Sequence, residues 1–136
     1  MTVTPTLHFC GHCEEAINLY KEAFGCKEKY LMRYSDAVQR GWEEDIPELR
    51  DTVYHSEILF GEQLFRMSDG AETEQNTNTS VFFAVNLDTI EEVQKAFEVL
   101  QSCGTVIEPL ESTPFHVYMG SVMDKFGVRW RVMAEV

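Results

Sequence analysis

Hydrophobic and polar positions follow the same order twice along the chain. Residues 6–25 read as a short strand, a tight turn and an amphipathic helix that a glycine ends, and residues 80–104 repeat that order. A two-stranded hairpin pattern follows each copy, at residues 53–68 and at residues 116–134. A repeat of this size indicates that one supersecondary unit is used twice.

Both helices are predicted from apolar residues at the i, i+3, i+4, i+7 spacing, which places them on one buried stripe. Gly25 and Gly104 are suited to end the first and second helix, and Gly25 is expected to be left-handed. Thr89 and Glu92 have the spacing of a capping box at the start of the second helix. The two stripes consist of Cys13, Ala16, Ile17, Tyr20, Ala23 and Phe24, and of Val93, Ala96, Phe97 and Leu100.

Strands are predicted where apolar and polar residues alternate with period two. These stretches are residues 27–34, 53–60, 80–87 and 128–134, with hairpin turns at 60–63 and 124–127. Residues 35–52 are acidic and lack a strong period, so we expect an excursion or a lid there. The predicted helices and strands therefore form two βαβββ modules, which is an α+β fold. Two such sheets side by side would form an eight-stranded, incompletely closed barrel with a central cavity.

Composition and charge limit the class of protein. The 136 residues are 44% apolar and 12% aromatic, which suits one folded domain. The net charge of −12 disfavours nucleic acid and anionic membranes as partners, although an acidic surface also serves solubility alone. The apolar runs are too short to cross a membrane, and the start Met1-Thr-Val-Thr-Pro5 does not resemble a signal peptide. We therefore expect a cytoplasmic protein.

The sequence Cys10-Gly11-His12-Cys13 has the CxxC spacing of a disulfide isomerase, between a strand and the start of a helix. A helix dipole there would lower a thiol pKa. However, Cys13 belongs to the apolar stripe, and cytoplasmic cysteines are reduced by default. A thiol oxidoreductase at Cys10 and Cys13 is therefore a less favoured alternative. A structural zinc is less favoured still, because no second ligand pair follows.

Three stretches carry a family resemblance. They are Phe9-Cys-Gly-His-Cys-Glu-Glu-Ala-Ile-Asn-Leu-Tyr-Lys-Glu-Ala-Phe-Gly25, Tyr54-His-Ser-Glu-Ile-Leu-Phe-Gly61 with Met67-Ser-Asp69, and Tyr118-Met-Gly-Ser-Val-Met-Asp-Lys-Phe-Gly-Val-Arg-Trp130. Together they resemble PhnB-like proteins of the glyoxalase/bleomycin-resistance group, also called the vicinal oxygen chelate superfamily. The resemblance implies a single domain over residues 5–133, made of modules 5–69 and 79–134, with a cavity inside the curved sheet and commonly a homodimer.

Enzymes of that superfamily hold a divalent metal with His and Glu side chains from four strands. Carried over to this chain, the four places fall near Pro5, at Glu57, at Ser80 and near Arg131. Only Glu57 is a competent ligand, because proline has no donor side chain, serine is a poor ligand and a guanidinium repels a cation. The resemblance therefore implies no usual metal site and no cofactor. A divalent metal on other ligands stays open as the alternative.

Seven residues are candidates for a small-molecule site. Arg131 is suited to hold a carboxylate or phosphate. His55 is suited to move a proton, or to ligate a metal with Glu57. The plainer interpretation is a Glu57–Arg131 salt bridge that neutralises a buried acid. The full set is His55, Glu57, Ser80, Phe82, His116, Tyr118 and Arg131.

The favoured function is thus a PhnB-like small-molecule-binding protein without an assigned catalytic residue. The alternative is a metal-dependent lyase, isomerase or dioxygenase using His55 and Glu57. PhnB-like proteins are sometimes labelled ubiquinone-pathway methyltransferases, but the sequence contains no glycine-rich GxGxxG turn for a cofactor. Three further residues are given structural roles: His8 in packing or hydrogen bonding, Asp69 in a turn and Trp130 in the core.

Overall fold

The computed structural model of the protein describes residues 1–70 and 80–136. Residue 79, where the second module is predicted to begin, lies outside the described residues. The elements are β1 (Thr6–Phe9), α1 (Cys13–Phe24), β2 (Lys27–Arg33), α2 (Tyr34–Gln39), a 3₁₀ turn (Pro47–Leu49), β3 (Val53–Phe60), β4 (Gln63–Asp69), β5 (Phe83–Asn86), α3 (Ile90–Gln101), β6 (Thr105–Ser112), β7 (Val117–Met123) and β8 (Arg129–Glu135).

The described residues form two compact units, each with its own sheet. Unit one comprises residues 1–21 and 25–70, and unit two comprises residues 22–24 and 80–136. The strand orders are β1-β4-β3-β2 in unit one and β5-β8-β7-β6 in unit two. Strand β1 runs parallel to β4, and β5 runs parallel to β8, whereas the other paired strands are antiparallel. The predicted α+β class and the doubled βαβββ order are therefore confirmed.

The helices form where the apolar stripes predict them. Cys13, Ala16, Ile17, Tyr20 and Ala23 of α1 are buried, as are Val93, Ala96, Phe97 and Leu100 of α3. Gly25 ends α1 in the left-handed conformation, with φ of 68° and its N–H donating to the Lys21 carbonyl at 2.9 Å. The Thr89 hydroxyl accepts from the Glu92 N–H at 3.1 Å, as the capping pattern predicts.

Gly104 has a different role from Gly25. Helix α3 ends at Gln101 with Ser102 as its cap, and Gly104 has no left-handed φ. A Cβ at position 104 would lie 2.8 Å from the Leu100 carbonyl oxygen and closer still to the Met123 carbonyl oxygen. Glycine is needed there because the chain after α3 passes directly against the end of β7.

Residues 35–52 form an ordered excursion on unit one. Its ends are tied by backbone hydrogen bonds from Tyr34 N–H to the Thr52 carbonyl at 3.0 Å and from Ser35 N–H to the Arg50 carbonyl at 3.1 Å. Tyr34 and Ala37 are buried, which anchors α2. The weak sequence period thus reflects two short helical turns instead of one long element.

The side chains of the last strand, β8, alternate between the buried core of unit two and the opposite face of its sheet. Trp130, Val132 and Ala134 are buried. Gly120 pairs with Val132, and a Cβ added at Gly120 would lie 2.8 Å from the Phe97 ring, so α3 covers this face. Arg131 therefore lies on the opposite face, as the alternation predicts. Within the described ranges, no helix is long and apolar enough to cross a membrane.

Candidate functional site

A small cavity in unit two contains three of the predicted site residues. Its volume is about 120 Å³. This is below the roughly 300–1,000 Å³ usual for pockets that take drug-sized ligands, so it suits one small group. It is lined by Ser80, Phe82, Ile107, Glu108, Ser121, Arg129, Trp130 and Arg131. We call it the unit-two cavity.

Arg131 contacts three other side chains that line this cavity. Its Nη2 donates to Glu108 Oε1 at 3.0 Å, and its Nε makes a long 3.5 Å contact with Ser121 Oγ. The guanidinium carbon lies 4.6 Å from the centroid of the Phe82 ring, a cation–π contact. A guanidinium has five N–H donors, so these bonds leave several of them for a ligand.

Glu108 is held in its ionised form. Its Oε1 accepts from Ser121 Oγ at 2.7 Å as well as from Arg131. The Ser121 hydrogen bond, and then the Arg131 guanidinium, lower the pKa of the Glu108 carboxyl below its ordinary value. The pair therefore stays charged at neutral pH.

Strand register brings these side chains together. Arg131 on β8 pairs with Ser121 on β7, and Ser121 pairs with Glu108 on β6. On the other side, Arg131 pairs with Ala84 of β5, and Phe82, just before β5, contacts the guanidinium. Three strands and the residues before β5 thus contribute one group of polar and aromatic side chains.

His55 and Glu57 lie in unit one, on the same face of β3. Their closest approach is 3.9 Å, from His55 Nε2 to Glu57 Oε1. Lys29 Nζ lies 4.0 Å from Glu57 Oε2, and the Tyr30 ring centroid lies 6.0 Å from that of His55. Within unit one, Glu57 thus has His55 and Lys29 as ion-pair neighbours, and within unit two Arg131 pairs with Glu108.

His116 and Tyr118 do not line the unit-two cavity. Tyr118 pairs with Ala134, so it lies on the α3 side of the sheet, opposite to the face of Arg131. His116 is exposed in the β6–β7 loop with φ of 61°. Its backbone N–H donates to the Thr113 carbonyl at 3.2 Å, and its carbonyl accepts from Val136 N–H at 2.9 Å.

The CxxC pair lacks the environment of a redox site. Cys13 is fully buried, and burial first, then the nearby Asp69 carboxylate, raises the pKa of its thiol far above the ordinary value. A redox-active cysteine needs the opposite shift. All four cysteines are thiols.

The remaining residues singled out in the sequence have structural roles. His8 Nδ1 lies 3.2 Å from Ser68 Oγ, and Trp130 is buried with its Nε1 donating to Asp124 Oδ2 at 2.9 Å. Asp69 was predicted to form a turn, but it is the last residue of β4. Its carboxylate accepts from the backbone N–H groups of Gly11, Cys13 and Val53 at 2.8 to 3.0 Å.

Comparison with known proteins shows the family. A family model described as 3-demethylubiquinone-9 3-methyltransferase matches residues 1–133. The chain belongs to this family. A PhnB protein from Bacillus cereus that carries the same methyltransferase description has a solved structure, with a TM-score of 0.82 and 29% identity over 98% of this chain and 99% of that one.

Two further proteins resemble the chain, one in sequence and one in fold. Protein YjdN of Escherichia coli K12 is 24% identical over 97% of this chain and 94% of its own length. A glyoxalase/bleomycin resistance protein/dioxygenase family enzyme from Burkholderia phytofirmans shares the fold, with a TM-score of 0.65 and 14% identity over 96% and 95% of the two chains. The chain thus shares the fold of a glyoxalase/bleomycin-resistance family enzyme.

The metal of that superfamily does not fit the four places in this PhnB-like chain. Arg131 is a cation engaged with Glu108, Ser80 offers only a hydroxyl, and Glu57 already has a lysine beside it. Across residues 1–70 and 80–136, no group of three or more His, Cys, Asp or Glu side chains is arranged to hold a metal ion. We therefore derive no chemistry through a metal.

The methyltransferase description of the family likewise has no counterpart among the residues. The eight glycines of the PhnB-like chain are isolated, and the sequence has no glycine-rich turn after a strand that could cradle a methyl-donor cofactor.

Proposed function

We propose that this PhnB-like protein is a cytoplasmic small-molecule-binding protein, and that Arg131 holds an anionic group of its ligand in the unit-two cavity. The observation that most strongly supports this proposal is the position of Arg131. Its guanidinium lines the cavity, lies against the Phe82 ring and is oriented by Glu108 and Ser121. A guanidinium held in this way is suited to a bidentate contact with a carboxylate or phosphate.

The charge of the cavity supports an anionic group. Two arginines, Arg129 and Arg131, and one carboxylate, Glu108, line it, so its formal charge is positive. The whole chain carries −12, which makes this local sign unusual for the molecule. The exposed face of Phe82 adds a surface on which a flat ring can pack. An aromatic carboxylate combines both features in a small volume.

The test is a calorimetric titration of the full chain with benzoate, an anion attached to one ring. We expect saturable binding by the native protein. Arg131→Gln removes the charge and most donors, so it should weaken binding about 10- to 100-fold, as expected for a lost charge-assisted hydrogen-bond pair. Arg66→Gln makes the same charge change on β4 of unit one and serves as the control, with binding unchanged.

Two results would overturn the proposal. Benzoate that fails to bind the native protein at about 10 mM would mean that the cavity has no useful affinity for this class. Equal weakening by Arg131→Gln and Arg66→Gln would mean that only the net charge of the protein matters.

We also propose that modules 5–69 and 79–134 act as one domain over residues 5–133, and that the protein is a homodimer. Apolar side chains exposed on unit two outside the cavity wall support the dimer, because water contact with them is unfavourable: Val81, Val106 and Phe115. Light scattering should then give about twice the chain mass of 15.7 kDa. A single-chain mass at every concentration tested would exclude the dimer.

A further inference from the structure

Unit one contains a larger cavity, between the excursion of residues 35–52 and the start of β3. Its volume is about 270 Å³. Tyr34, Glu43, Ile46, Tyr54 and Asp69 are among the residues that line it. None of its lining residues lines the unit-two cavity. We call it the unit-one cavity.

Two tyrosine rings form part of its wall. The centroids of Tyr34 and Tyr54 lie 6.3 Å apart, with the ring planes tilted by 57°. Both hydroxyls donate to acceptors of the excursion, Tyr34 to the Glu44 carbonyl and Tyr54 to Glu43 Oε1 at 3.1 Å. The rings are therefore fixed in orientation. Tyr34 is buried, whereas Tyr54 is half-buried, so the Tyr54 ring is the more accessible of the two.

Acidic side chains surround these rings. Burial and then the carboxylates of Glu43, Glu44 and Asp45 raise the pKa of Tyr34. The hydrogen bond to Glu43 is the main cause of the raised pKa of Tyr54. Two acids of unit one have other partners. Asp45 is paired with Arg50 at 2.6 Å, and the Asp69 carboxylate of the cavity wall accepts three backbone N–H groups. Glu43 is thus the acid that lines the cavity and contacts a ring hydroxyl.

We propose that the unit-one cavity binds a small organic cation of the quaternary ammonium class. Its charge would lie against the half-buried Tyr54 ring by cation–π attraction, with Glu43 as the counter-ion. The apolar Ile46 and Leu49 in the wall favour a weakly hydrated cation that carries methyl groups. This site goes beyond the anionic site proposed above, and either can hold without the other.

The experiment is a calorimetric titration of the full chain with tetramethylammonium chloride at constant ionic strength. The neutral comparison molecule is tert-butanol, which has a similar shape and no charge. We expect saturable binding of the cation, with an affinity at least about tenfold above that of tert-butanol. Amide shifts in an NMR titration should appear at Val53, Tyr54 and Gly70, which line the cavity.

Paired variants test the two parts of the site. Glu43→Gln should weaken binding at least about fivefold, whereas Glu48→Gln removes the same charge from an exposed residue outside the wall and should change it by less than about twofold. Tyr54→Leu removes the ring and should weaken binding about tenfold, while Tyr54→Phe keeps the ring and should largely retain it.

Three results would overturn the proposal. They are no saturable binding of tetramethylammonium, equal affinity for tert-butanol, and equal weakening by Glu43→Gln and Glu48→Gln. Equal affinity for tert-butanol would mean that the pocket is apolar and has no charge selectivity. Equal weakening by the two glutamate variants would mean that only the overall charge of the protein affects binding. Since Glu43→Gln and Tyr54→Phe are nearly isosteric, the test does not depend on a variant that unfolds.

Discussion

Burial decides the chemistry of individual cysteine residues in this protein. Cys13 is fully buried beside the Asp69 carboxylate, and both surroundings disfavour the thiolate. Burial also raises the pKa of the Cys26 thiol, to about 12. Cys103, in contrast, is exposed. The spacing of the cysteines suggests redox chemistry, whereas the apolar stripe that contains Cys13 correctly indicates a buried thiol.

Alkylation with iodoacetamide at pH 8 measures this difference. We expect Cys103 to be modified quickly in the folded protein and Cys13 at least about 100-fold more slowly, since a buried thiol with a raised pKa forms little thiolate. Peptide mapping by mass spectrometry assigns each rate. If Cys13 reacts as fast as Cys103, the thiol is accessible and the oxidoreductase alternative returns.

Single site residues could be predicted only in part. The period-two alternation of the last strand correctly assigns Arg131 to the face away from Trp130, and the structure brings Ser80 and Phe82 to the same cavity. Glu108 was missed. The register of β6 against β7 shifts on both sides of Glu108, so its pairing with Ser121 cannot be counted from the sequence. The only sign of Glu108 in the sequence is that a single acidic residue directly follows the apolar Val106 and Ile107.

At the scale of elements, Asp69 joins three parts of unit one. Its carboxylate at the end of β4 accepts backbone N–H groups from Gly11 and Cys13, at the start of α1, and from Val53, at the start of β3. The N-terminal end of a helix favours a negative charge, so the α1 contacts are also electrostatically favourable. This one side chain therefore fixes how α1 enters the sheet.

Replacing Asp69 with alanine should be costly. We expect Asp69→Ala to lower the free energy of unfolding by about 2 to 4 kcal/mol at pH 7, since three donors lose a charged acceptor. Urea titration followed by circular dichroism gives this value. Asp88→Ala removes an exposed aspartate just before α3 and should cost under about 1 kcal/mol. Equal losses for the two variants would contradict the role given to Asp69.

Elements could be predicted well where their signals are local. The apolar stripes, the left-handed Gly25 and the Thr89 cap all lie within a few residues of the structure they determine. Gly104 shows the limit of such reasoning. It follows α3 in the sequence, but its lack of a side chain is required by the approach of β7, which is about 20 residues away in the chain.

At the scale of the whole molecule, net charge does not indicate the charge of a ligand. The chain carries −12. Nevertheless, the unit-two cavity has two arginines and one carboxylate in its wall, and the unit-one cavity has two carboxylates and no basic residue in its wall. Each cavity therefore has its own sign. The doubled βαβββ order could be predicted from the repeat, but the charge of each cavity depends on strand register and on the course of the excursion.

A guanidinium, and not a metal ion, is proposed to hold the anionic group of the ligand. The most direct measurement is a calorimetric titration with benzoate of protein that has been treated with a chelator, with and without added Mn²⁺. We predict the same saturable binding in both samples, because Arg131 supplies the positive charge. Binding that appears only after Mn²⁺ is added would contradict the account.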